Sequence, residues 1–124
     1  MNIQIVEERD GEVPVLLPFG RIDGGNAYTF ESTIMDLING GKRQVVVDCS
    51  RLDFISSAGL RVLLVAARAL RKTSGTLVLC AMNDNVDKVV RTGGFDRIVP
   101  IAASREAAVE SADAPMPGGP WWQR

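Results

Sequence analysis

A strand–turn–helix unit in the middle of the chain constrains its fold more than any other feature. Gln44-Val45-Val46-Val47-Asp48 is an apolar, β-branched run of the length of a buried strand. Downstream, Leu60, Leu63, Leu64, Ala67 and Leu70 recur at helical spacing. Between the two lies Ile55-Ser56-Ser57-Ala58-Gly59-Leu60, which puts small hydroxyl residues where a helix begins. The first turn of a helix carries unpaired N–H groups and the positive end of the helix dipole. A serine there can cap the helix, help hold an anion, or itself accept a phosphate.

The same alternation extends to both sides. Ile3-Gln4-Ile5-Val6 and the run from Val13 to Phe19 flank the polar turn Glu8-Arg9-Asp10-Gly11-Glu12, the pattern of a hairpin. Pro14 and Pro18 predict an edge position or an imperfect ladder for its second strand. The turn-rich loop from Gly20 to Asn26 leads into a helix with the apolar face Ala27, Phe30, Ile34, Leu37 and Ile38, Asn26 being its expected N-cap. Asn39-Gly40-Gly41 stops it. The helix after the serines should run to about Thr73. Thr76 to Ala81 reads as a second buried strand, Val86, Val89 and Val90 as a short helix, Ile98 to Ile101 as a last strand, and Ser104 as the cap of an Ala-rich helix through Ser111. The expectation is an α/β domain over residues 1–111, with a mixed sheet of about four to five strands and helices packed mainly on one face. Residues 112–124 are rich in Pro and Gly and read as a flexible tail. Trp121 and Trp122 lie in it and are assigned no function.

Composition removes several classes of chemistry. The chain of 124 residues has 14 Lys+Arg against 15 Asp+Glu, so no global attraction to nucleic acid or anionic membrane is expected. It has no histidine, which excludes Ser-His-Asp and Cys-His nucleophiles. Cys49 and Cys80 lack metal-ligand or redox spacing and read as small buried residues in a reducing compartment. Met1 to Ile5 has neither a basic nor a long apolar run, and no stretch reaches membrane-spanning length, so a cytoplasmic domain is expected. Gly40-Gly41-Lys42 lacks the upstream glycine and following Ser/Thr of a phosphate loop. Asn83-Asp84-Asn85-Val86-Asp87 starts like a calcium loop, but Lys88 and Gly94 stand where its glycine and glutamate belong. No catalytic constellation, metal or cofactor is expected.

Gly20-Arg21-Ile22-Asp23, Val45 to Ser50, and Leu52-Asp53-Phe54-Ile55-Ser56-Ser57-Ala58-Gly59-Leu60-Arg61-Val62-Leu63-Leu64 together resemble the STAS domain. Within it they look most like the stand-alone bacterial anti-sigma factor antagonists, and the resemblance spans roughly residues 3 to 111. It implies a switch protein that binds a GHKL-type serine-kinase anti-sigma factor when unphosphorylated. The kinase modifies one serine at the helix N-terminus, and a PP2C-type phosphatase reverses the modification. The matching phosphoacceptor is Ser57; Ser56 stands where the family's commonest form has aspartate, and is the alternative. Asp23, Asn26, Ser56, Ser57, Ala58, Gly59 and Arg61 are the expected partner surface, with Ala58 and Gly59 keeping the hydroxyl reachable. Arg68, Arg71 and Lys72 instead complement the helix C-terminus. A second reading is an accessory subunit of a lipid or membrane transport assembly, docking on an ATPase without being modified.

Overall fold

The structure, a computed structural model, describes residues 3–113. β1 (Gln4–Asp10) and β2 (Val13–Ile22) form the expected antiparallel hairpin, with Asp10 opposite Val13. Gly11 turns it with φ +64°, backbone that favours glycine.

β2 then has two parallel neighbours in succession. Val15 and Leu16 pair with Val46 and Val47 of β3 (Gln44–Asp48). Past an irregularity between Gly20 and Arg21, the strand leaves β3 and pairs with β4 (Leu52–Ile55), ending on Ile22 opposite Ile55. The prolines thus lie in an interior strand whose ladder to β3 is short, the second of the two arrangements their presence allowed. β5 (Thr76–Cys80) runs parallel to β3 over five residue pairs, and β6 (Ile101–Ala102) parallel to β5. The sheet order is β1-β2-β3-β5-β6, with β4 attached to β2 alone.

Among the described residues the sheet has six strands, one more than the upper end of the expectation. β4 is the addition, hidden in the segment before the serines. The last strand begins at Ile101 rather than Ile98, because Phe95–Arg97 forms a 3-10 turn and Val99 drops into the core.

The buried strands serve two faces. Leu16, Val45, Val47, Leu77 and Leu79 point to a core closed by α1 (Ala27–Asn39), α2 (Ser57–Arg71) and α3 (Asp84–Thr92). Val13, Val15, Val46, Val78 and Cys80 point the other way, where Ala108 and Ala112 of α4 (Arg105–Asp113) cover them. Period-two side-chain alternation makes each apolar run necessary on both sides. Each fully buried large side chain, such as Phe30 or Ile34, contributes roughly 1.5–3 kcal/mol of transfer free energy. α4 runs to Asp113, with Ala112 buried. Residues 114–124, with Trp121 and Trp122, lie outside the described residues.

Candidate functional site: paired helix starts at one end of the sheet

The pairing of Ile22 with Ile55 brings the ends of β2 and β4 side by side; β4 leads at once into α2, and β2 reaches α1 through the short loop 23–26. The first turns of α1 and α2 therefore stand together at one end of the sheet. The serines lie at this end.

Ser56 and Ser57 divide the work there. Ser56 is extended (φ −86°, ψ 174°), and its N–H donates to the Ile22 carbonyl at 2.8 Å. Its Oγ accepts from the Gly59 N–H at 3.3 Å and its carbonyl from the Leu60 N–H at 3.0 Å. That is the N-cap arrangement, which satisfies one of the donors a helix start leaves open. Ser57 is the first helical residue and is exposed. Its hydroxyl has no hydrogen-bond partner among the described residues.

Gly59 plays a different part from the one expected. It is buried, and a Cβ there would lie 2.6 Å from Ile55 Cγ1 and 2.8 Å from Ile22 Cγ2. Its smallness lets α2 start directly on the two strand ends. Ala58, half-buried, packs against the same core.

The loop before α1 is braced from inside. Asp23 Oδ1 accepts from the Gly25 N–H at 2.9 Å, and the Asp23 carbonyl accepts from Ala27 at 2.9 Å. Asn26 is only 8% exposed. Its Oδ1 accepts from the Asp23 N–H at 2.9 Å and its Nδ2 donates to the Arg21 carbonyl at 2.8 Å. Asn26 precedes α1 but does not cap it, because both ends of its amide bond backwards into the loop. Asn26 and Gly59 thus act from beneath the surface. Ser57 and Arg61 reach it and are exposed, and Asp23, Ser56 and Ala58 are half-buried.

Tyr28 escaped the sequence reading. It is 80% exposed in the first turn of α1, off the stripe formed by Ala27, Phe30 and Ile34. Falling off that stripe was the signal available. Arg21, also exposed, lies with its guanidinium 4.3 Å from the centroid of Phe54 on β4.

Other polar groups hold the fold. Asp48 is buried, and its Oδ1 accepts from the Ser50 N–H at 2.9 Å. Arg105 donates to Glu8 Oε1 at 2.6 Å and Asp10 Oδ2 at 2.8 Å, with Asp48 4.0 Å away. Its hydrogen bonds to Glu8 and Asp10 raise its pKa further. Cys49 and Cys80 are buried free thiols. Burial and the neighbouring Cys80 push Cys49 well above the usual thiol range, and burial pushes Cys80 up to about 12. Neither is a thiolate nucleophile at neutral pH. Among the described residues no three Cys, Asp or Glu side chains gather as metal ligands, and no helix is long and apolar enough to cross a membrane.

The STAS domain family profile matches residues 4–108. The chain belongs to the STAS domain family. The Bordetella bronchiseptica protein BtrV, named as a candidate anti-sigma factor antagonist, is 43% identical over 98 residues, covering 79% of this chain and 84% of BtrV. A similarly named crystal structure from Thermotoga maritima superposes with a TM-score of 0.83 at 23% identity, over 89% of this chain and 95% of that one. The anti-sigma factor antagonist SpoIIAA in its unphosphorylated form gives 0.77 at 22% identity, over 92% of this chain and 100% of SpoIIAA. At those identities the structural likeness establishes the STAS fold, a mixed sheet with helices on both faces.

Proposed function

We propose that this STAS domain is an anti-sigma factor antagonist that works by partner switching in the bacterial cytoplasm. Unmodified, it binds a serine-kinase anti-sigma factor of the GHKL type through the end of the sheet where α1 and α2 begin. The kinase transfers the γ-phosphoryl group of ATP to Ser57. The new bond joins Ser57 Oγ to phosphorus, the bond to the ADP oxygen breaks, and a base on the kinase takes the serine proton. A PP2C-type phosphatase hydrolyses the ester and restores binding. The chain supplies the acceptor and the docking surface, is not itself a catalyst, and needs no cofactor.

The observation that carries this reading is the unequal use of the two serines. The Ser56 hydroxyl is engaged as the cap, whereas the Ser57 hydroxyl is exposed and unbonded. The name of the 43% identical relative points to the same class of partner. A phosphate adds about −1.5 to −2 charges and three acceptor oxygens. A surface that docked a neutral hydroxyl must then desolvate them, and a loss of about 2.7 kcal/mol weakens a complex roughly a hundredfold. Helix-start N–H groups and dipole tolerate the phosphate within the chain, so the switch needs no refolding.

Incubation with the cognate kinase and ATP, followed by intact-mass and peptide mapping, tests the reading. One phosphate on Ser57 is expected, retained in Ser56→Ala and lost in Ser57→Ala. A phosphate on Ser56 in the unmutated chain, or its persistence in Ser57→Ala, would overturn the assignment.

A further inference from the structure

Arg61 stands four residues after Ser57 on α2, so the two side chains lie one above the other on the same face, with Cβ atoms roughly 5–6 Å apart. Both are exposed. Side chains on a helix lean towards its N-terminus, so a long residue at position 61 covers the turn that holds position 57.

The electrostatic setting of Arg61 is unfavourable as it stands. A cation near a helix start opposes the dipole. The first turn of α2 contains no acidic residue, whereas that of α3 contains Asp84 and Asp87. Arg91 and Arg105 are held by carboxylates; Arg61 has no ion pair or hydrogen bond among the described residues. An anion one turn back along the helix would correct both deficits.

We propose that Arg61 is the built-in counter-cation of phosphorylated Ser57, its guanidinium hydrogen-bonding the phosphoryl oxygens and holding the group against α2. The inference rests on Ser57 being the phosphoacceptor and goes beyond it, by giving the modified state a structure of its own. The planar, always-charged guanidinium suits bidentate contact with a phosphate. The consequence for a partner is double. In the unmodified chain Arg61 is available to an acidic group across the interface; after modification it is turned inward, so the partner loses a cation as it meets a phosphate. Asp23, carried on the residue after Ile22, opposes the effect with like charge, and Arg21 beside it adds to the positive side.

Phosphoserine installed at position 57 during translation of the full chain makes the test independent of any kinase. 31P NMR then follows the second ionisation of the phosphate, which lies near pH 6. A guanidinium partner favours the dianion and lowers the midpoint. Arg61→Gln is expected to raise it by about 0.3 at low ionic strength, the size of an i,i+4 ion pair converted to pH. Arg61→Lys recovers part of the difference, and Arg68→Gln, about 16 Å along the helix, leaves it unmoved. Equal midpoints in the unmutated chain and Arg61→Gln would overturn the inference. So would an equal shift in Arg68→Gln, which would reveal only net charge. Failure of the kinase to modify Ser57 would count against the proposed function and leave this titration to be decided separately.

Discussion

Arg105 and Arg61 both stand within five residues of a helix start, in opposite surroundings. Arg105 opens α4 and is gripped by Glu8 and Asp10 from β1, with the buried Asp48 of β3 behind. Those carboxylates offset the unfavourable dipole and bind the last helix to the first hairpin across almost the whole length of the chain. Arg61 on α2 has no such grip. The same residue type in the same electrostatic position is satisfied where it holds the fold and left open beside the exposed serine. Ser56 and Ser57 repeat the contrast one residue apart.

Three sets of variants can break or sharpen that contrast between holding and open positions. The largest effect is expected from Gly59→Val. Its added carbons meet Ile22 and Ile55, whose pairing seats the helix start, and overpacking of this kind costs about 2–3 kcal/mol. Urea unfolding should show a lower midpoint with an unchanged slope. Unaltered stability would mean that α2 is not rigidly seated on the strand ends. Arg105→Ala is expected to cost about 1 kcal/mol, discounted because Glu8 and Asp10 are nearly half exposed, and to cost less at roughly 1 M salt. A salt-independent cost would show that lost packing rather than charge dominates. The smallest effect separates the serines: Ser56→Ala should lose about 0.5–1 kcal/mol as a cap, and Ser57→Ala less than that. Equal losses would remove the distinction on which the choice of Ser57 stands.

Much of this arrangement is readable from residue patterns, and the remainder fails for definite reasons. Helices announced themselves by apolar spacing, and Ser104 caps α4 as expected, accepting from Ala107 at 3.1 Å, whereas Asn83, which resembled only the start of a calcium loop, caps α3 by accepting from Val86 at 2.8 Å. The long apolar strands were equally plain. β4 was not, because four residues carry little periodicity and its only strand partner among the described residues is the last part of β2, more than 25 residues upstream. Gly59 was legible as a small residue beside a serine, but not as one that must be small. That requirement comes from Ile22 and Ile55, which touch it only in three dimensions. Asn26 looked like a cap by position, yet its amide found better geometry with Asp23 and Arg21. The Arg105 cluster joins residues 95 and 97 apart in sequence and has no local signature at all.

The hairpin and the last strand have a bearing on what else this protein can touch. A sheet edge is a row of unpaired backbone groups, able to recruit another chain strand to strand. Here one edge of the main sheet is β1, whose second half reads Glu7-Glu8-Arg9-Asp10 and is exposed throughout, and the other is β6, only two residues long. Charge discourages pairing at the first, and brevity at the second. A protein that exchanges partners in the way proposed above is poorly served by backbone zippering, which is slow to undo and indifferent to which chain it captures. With these two edges blunted, association there falls to side chains, which the proposed phosphate would revise.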